Sequence, residues 1–170
     1  MHKMQRMLRI GGFAVFTASL VSGCMSGGAV GLIDDPLDGF PPYGEIGPED
    51  AVAVILSLQD DPLLVLLDIR TQGEVEAGHI PGAVNLDFRS ATFESELPAL
   101  DRELIYLIYC RTANRSGQVF DLMAQTGLTR LYDLQGGIRL WGELGYPICV
   151  GPLGEEHRCV GEYPSPPAGV

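Results

Sequence analysis

Residues 104–117 read Leu104-Ile105-Tyr106-Leu107-Ile108-Tyr109-Cys110-Arg111-Thr112-Ala113-Asn114-Arg115-Ser116-Gly117. The unbroken apolar run Leu104 to Tyr109 fits a strand buried on both faces, because a half-solvated strand alternates apolar and polar positions. Downstream, Val119, Phe120 and Met123 fall at core spacing for a helix over Ser116–Thr126. Cys110 therefore stands where a buried strand gives way to a helix. A thiol placed there faces the positive end of that helix and its unpaired N–H groups. A tight loop of successive amides also curls into an anion-binding nest, and Arg111 and Arg115 add positive charge. These features favour the thiolate, which is the nucleophilic form of cysteine. Such chemistry requires a sulfur open to solvent, with the N–H vectors aimed at it.

The same alternation continues on either side. Pro48-Glu49-Asp50 starts a helix that runs through Ala51–Leu58 and stops at Asp60-Asp61-Pro62. Leu63–Ile69 is a second continuous aliphatic strand, Glu74–Gly78 allows one helical turn, and Ala83–Leu86 is a short strand. Phe93–Leu100 reads as a short helix, Leu131–Leu134 as a strand, and Ile138–Leu144 as a helix stopped by Gly145. Gly136-Gly137 reads as a turn and helix entry, and Trp141 as core or interface packing. Strands alternating with helices predict an α/β fold: a central parallel sheet with helices on both faces, in three α/β/α layers. Ligands of such sheets bind at the carboxyl ends of the strands, where Cys110 lies.

The chain has 170 residues, enough for one domain and too few for two full ones. Its formal net charge of -11 excludes a phosphate-neutralising nucleic-acid binder, because the overall field repels a polyanion. No nucleic-acid partner is expected. Residues 1–23 begin with basic Lys3, Arg6 and Arg9, continue as an apolar stretch too short to span a bilayer, and end Leu20-Val21-Ser22-Gly23 before Cys24. This resembles a bacterial lipoprotein signal peptide with its lipobox. The resemblance implies cleavage before Cys24, acyl chains on Cys24, and a lipid-anchored protein of the bacterial cell envelope facing the periplasm or exterior. A plain secretory signal with an incidental cysteine is the alternative. Residues 24–42, rich in Gly, Pro and Asp, read as a flexible tether, residues 43–150 as the folded domain, and residues 151–170 as a C-terminal extension.

Four motifs stand in order across 43–148: Asp68-Ile69-Arg70, Gly78-His79-Ile80-Pro81-Gly82-Ala83, the Cys110 loop, and Leu134-Gln135-Gly136-Gly137-Ile138-Arg139-Leu140-Trp141. In order and spacing they resemble a single-domain rhodanese. The resemblance implies a catalytic Cys110 that carries a persulfide, taking sulfur from a small anionic donor such as thiosulfate and passing it to cyanide or a thiol. It places Arg111, Thr112, Ala113, Asn114, Arg115 and Ser116 around the substrate, with the Arg111 and Arg115 side chains binding or steering the donor. No cofactor is implied. Related phosphatases and arsenate reductases carry one more residue in the loop. Here Arg115 is the fifth residue after Cys110, which is the short form and favours sulfur over a tetrahedral oxyanion. A rhodanese-like interaction or sulfur-sensing module is the remaining alternative, with its protein partner unknown.

In the resemblance Asp68 and Arg70 support loops beside the site. His79, before a turn signal, reads as a structural hydrogen-bonding histidine rather than a general base. Cys149 and Cys159 stand ten apart in a chain expected to reach an oxidising compartment, which predicts a disulfide pinning the extension. A redox role opposite Cys110 is the alternative. No further Cys/His pair completes a metal site, and His157 alone is a weak ligand candidate.

Overall fold

The computed structural model describes residues 37, 39–58, 61–154 and 158–164. The signal-like segment 1–23, Cys24, most of the expected tether and His157 lie outside the described residues.

Five strands form one parallel sheet in the order β1-β5-β4-β2-β3. They are β1 (Gly44–Ile46), β2 (Leu64–Asp68), β3 (Val84–Asn85), β4 (Ile105–Tyr109) and β5 (Leu131–Leu134). The helices are α1 (Pro48–Ser57), α2 (Gln72–Glu76), α3 (Phe93–Glu96), α4 (Asn114–Gln125) and α5 (Gly137–Glu143). β4 is the central strand, and every residue of β2, β4 and β5 is buried. That burial explains their unbroken apolar sequences: with helices on both faces, no strand residue has water to face.

The alternation of side chains along the strands builds two cores. On one face Leu64, Leu66, Ile105, Leu107 and Tyr109 meet α1 and the Ile138 and Trp141 side chains of α5. On the other, Val65, Leu67, Tyr106, Ile108 and Cys110 meet Phe93 of α3 and the Val119 and Met123 side chains of α4. The fold is the three-layer α/β/α arrangement with a central parallel sheet.

The boundaries differ from expectation in places that matter. α4 begins at Asn114 rather than Ser116, so the amide of Arg115 already belongs to the helix. α2 begins at Gln72, because Thr71 and Glu74 form a capping box. Phe120 is only partly buried, while Val119 and Met123 are fully so. The stretch expected as tether contributes to the core. Leu37 is 5% exposed, and Tyr132 Oη donates to the Pro41 carbonyl at 2.8 Å. β1 was not expected, since three residues carry no periodicity and its partners come from β5 at the far end of the chain.

Beyond α5 an antiparallel pair, β6 (Ile148–Val150) and β7 (Arg158–Val160), sets Cys149 opposite Cys159, and the two are joined in a disulfide. Tyr163 of the extension then packs edge-on against Trp141, with ring centroids 6.1 Å apart.

Candidate active site

Three elements meet at the carboxyl end of β4. Its last residue, Tyr109, leads into Cys110, and the chain turns at Ala113 to enter α4. Ala113 has φ 67°, the one non-glycine residue at positive φ among the described residues. That left-handed conformation costs an L-residue about 1–2 kcal/mol. It turns successive amides inward, as a nest does. The third element is the start of α5. Ile138 N–H donates to the Cys110 carbonyl at 3.0 Å, and Arg139 N–H to the Arg111 carbonyl at 3.1 Å. With those carbonyls held outward by α5, the loop's N–H groups are left for the sulfur.

The approach of α5 depends on Gly137. A Cβ there would lie 2.5 Å from the Cys110 carbonyl oxygen and 2.7 Å from the Arg111 carbonyl carbon. Gly136-Gly137 is thus more than a turn: it lets one backbone touch another.

Burial pushes the Cys110 thiol up. The backbone N–H groups of Ser116 and Thr112, the Ser116 hydroxyl and the Arg115 N–H outweigh it and hold the thiol below its ordinary value. Ser116 Oγ donates to Cys110 Sγ at 3.6 Å. The donors are therefore aimed at the sulfur. The openness is not as expected: Cys110 is 1% exposed, lying beneath the loop rather than facing solvent.

Among the loop residues, Arg111, Thr112 and Asn114 are exposed, Ala113 and Arg115 half-buried, and Ser116 buried. Arg111 has no ion-pair partner among the described residues. Arg115 departs from the expected role. Its Nη1 and Nη2 donate to the Glu74 carboxylate at 2.9 and 2.7 Å, so Glu74 occupies the fork meant for a donor. The Glu74 carboxylate, against some burial, holds the Arg115 guanidinium charged, and the nearby Cys110 sulfur adds to this. The Glu74 carboxyl is pulled down to about 2, first by Arg115, against its own burial, and further by Thr71.

The supporting residues lie one layer away. Arg70 Nε and Nη2 grip the Asp68 carboxylate at 2.9 and 2.5 Å, and Nη2 also donates to the Gly78 carbonyl at 2.6 Å. Burial opposes the Arg70 charge, and the Asp68 carboxylate more than restores it. Asn85 Nδ2 donates to the carbonyls of Asp68 and Arg70, both at 2.7 Å, which fixes the end of β2. His79 is fully buried, and its Nδ1–H donates to the Val75 carbonyl at 3.0 Å. Its backbone exchanges two hydrogen bonds with Cys149, 2.9 and 2.8 Å, so the disulfide hairpin is tied to the loop that Arg70 holds. Cys149 and Cys159 are bonded to each other, leaving Cys110 the free cysteine among the described residues.

Two site residues escaped the sequence reading. Glu74 had a signal, the Thr71-x-x-Glu74 capping box, but not one that pointed toward Arg115. Asp133 had a signal too, as a lone acid within the buried strand Leu131-Tyr132-Asp133-Leu134. It pairs in register with Ile108, two residues before Cys110, and so shares its face of the sheet. Burial raises its carboxyl to about 6, with the Ser116 hydroxyl opposing and the Glu45 charge adding to the rise.

Residues 51–144 match the rhodanese-like domain family. The chain belongs to that family. A sulfurtransferase of Allochromatium vinosum is 38% identical over 106 residues, covering 62% of this chain and 95% of that protein. A rhodanese-related crystal structure from Thermoplasma volcanium is 27% identical, with a TM-score of 0.52, over 62% of this chain and 97% of that one. The tRNA uridine(34) hydroxylase of Erwinia tasmaniensis is 28% identical, but the match spans only 35% of its length. The rhodanese-like domain and the sulfurtransferase relative support a sulfurtransferase-like role.

Proposed function

We propose that the protein moves a sulfane sulfur through a persulfide on Cys110. Because Cys110 is 1% exposed, the loop over it must first move aside to admit the donor; the Cys110 thiolate then attacks the outer sulfur of thiosulfate. A Cys110–S bond forms, the donor's S–S bond breaks, and sulfite leaves with the bonding pair. Cyanide or a thiolate then attacks the outer sulfur of the persulfide, and the Cys110 thiolate departs as leaving group. The single observation behind this reading is the placement of the Cys110 sulfur at the carboxyl end of β4, beneath a loop that turns through left-handed Ala113 into α4 and with Ser116 Oγ donating to it at 3.6 Å; the loop N–H groups of Ser116, Thr112 and Arg115 hold the thiol below its ordinary value. The same donors stabilise the negative charge of a persulfide, and losing one donor of this kind typically costs about 2.7–4 kcal/mol in the transition state.

Arg111, exposed and without an ion-pair partner among the described residues, steers the anionic donor against the chain's acidic field. Arg115 is held by Glu74 and acts on the sulfur rather than on the incoming donor. That arrangement and the short loop also disfavour phosphate or arsenate chemistry. The lipobox-like residues before Cys24 support anchoring in the cell envelope, facing the periplasm or exterior.

The full chain should form thiocyanate from thiosulfate and cyanide, and Cys110→Ser should abolish that activity. Full activity in Cys110→Ser would remove the persulfide from the mechanism. The 1% exposure of Cys110 favours a second reading, a sulfur-sensing or interaction module whose loop stays closed. Intact mass after thiosulfate separates the two. A gain of one sulfur atom that cyanide removes marks turnover, and no gain marks the module.

A further inference from the structure

The disulfide hairpin is fastened to the segment that carries Glu74. Cys149 of β6 exchanges two backbone hydrogen bonds with His79, at 2.8 and 2.9 Å, and just beyond β6 the Gly151 N–H donates to the Glu76 carbonyl at 2.9 Å. Ile148 packs on the residue between, since a Cβ on Gly78 would stand 3.2 Å from Ile148 Cγ2. These contacts hold the end of α2 and the residues that follow it. Glu74 lies on the same five-residue helix and clasps Arg115 at 2.9 and 2.7 Å. Arg115 stands in the first turn of α4, where the loop over Cys110 ends. A continuous run of contacts therefore leads from the disulfide to that loop.

The disulfide is open to a reductant from one side. Cys149 is fully buried, whereas Cys159 and the rest of β7 are exposed. Exposed disulfides are the more easily reduced ones. We propose that Cys149–Cys159 is a redox-sensitive clamp, which keeps the loop closed over Cys110 when oxidised and lets it open when a dithiol reduces it. A thiolate of the dithiol attacks the Cys159 sulfur, a mixed disulfide forms, and Cys149 leaves as thiolate. The second thiol of the reductant then attacks its own bonded sulfur, and Cys159 leaves. Two electrons and two protons pass to the protein, which ends with two thiols, and the dithiol becomes a disulfide. Among the described residues β7 pairs with β6 alone, and each strand has three residues, so the hairpin without its crosslink is marginal. As it loosens, Gly151 leaves Glu76 and Cys149 leaves His79. A helix as short as α2 does not hold its place unaided. Glu74 then gives up Arg115, and the start of α4 is freed.

The inference rests on Cys110 being the reactive sulfur, but its readout needs no sulfur donor, so it stands or falls apart from thiocyanate formation. The full chain, oxidised or reduced with a dithiol that is then removed, is labelled with iodoacetamide at one fixed pH, and the rate at Cys110 is read by peptide mass. Reduction should speed labelling about fivefold, at the lower end of usual coupling between two sites, and reoxidation should restore the slow rate. Cys149→Ser with Cys159→Ser should match the reduced wild type. In Glu74→Gln the charged clasp is gone, so labelling should be fast in both redox states. Equal rates in oxidised and reduced wild type overturn the proposal. So does a reduction effect that persists in Glu74→Gln. A rise that grows with urea from zero upward also overturns it, because that marks global unfolding rather than local opening. Should the double Ser variant fail to fold, the reduced wild type decides alone, and a reduced wild type that unfolds overturns the proposal.

Discussion

Replacing Glu74 with Gln removes one charge and keeps the rest of the site, because Gln at this position still closes the capping box with Thr71. In the native protein the Glu74 carboxyl is pulled from 4.5 to about 2, chiefly by Arg115. The folded value lies below the unfolded one. The stabilisation is therefore fully present above about pH 4.5 and is lost as the pH falls toward 2. Taken whole, the difference corresponds to roughly 3 kcal/mol. The Arg115 and Glu74 side chains are 20% and 32% exposed, so solvent screening reduces it to about 1–2 kcal/mol. Urea denaturation of wild type, Glu74→Gln, Arg115→Gln and the double variant isolates the pair in a double-mutant cycle. At pH 7 the coupling should be about 1–2 kcal/mol, and at pH 3 roughly half or less should remain. A coupling near zero at pH 7 would show that the fork contributes no stability. A coupling independent of pH down to 3 would show that the carboxylate is not its source.

Three further outcomes follow from the backbone around the site. Gly137→Ala puts a Cβ against the Cys110 and Arg111 backbone and strains φ +56°, so stability should fall by at least about 2 kcal/mol in urea titration, and the pH midpoint of iodoacetamide labelling at Cys110 should rise; wild-type behaviour in both would refute the close approach. Ala113→Gly relieves the left-handed residue but loosens the unfolded chain, for a net gain of about 0.5–1 kcal/mol in urea titration; a loss would show that the conformation is not strained. Cys149→Ala with Cys159→Ala opens the disulfide and should destabilise the chain by about 2–3 kcal/mol, with a lower Tm by calorimetry. An unchanged Tm would show that the backbone bonds of Cys149 to His79 hold the hairpin unaided.

Much of the architecture is local in origin. A strand buried on both faces has to be apolar throughout, so Leu104–Tyr109 and Leu63–Ile69 announced themselves within a few residues. A helix with one buried face has to repeat at 3.6, so α4 did the same. The position of Cys110 between two such elements followed at once, as did the donors of its own loop. β1 left no such mark. It is a strand because β5, nearly ninety residues later, supplies its hydrogen bonds. Leu37 and Tyr163 fall in Gly- and Pro-rich segments without periodicity, and only the packed core shows that both are used.

The sequence by itself determined the sheet's central strands, the helices that cover them, and a thiol placed at a strand end before a helix. It did so because hydrophobic period and chain order are one-dimensional properties. Tertiary structure alone decided which groups surround that thiol. Glu74 takes the fork of Arg115 across 41 residues, α5 presses its glycine onto the Cys110 backbone, and Asp133 of β5 comes against Gly117 in the first turn of α4. Each is a meeting of segments far apart along the chain. Coulomb forces and hydrogen bonds depend on distance through space, so no local pattern in the sequence encodes them.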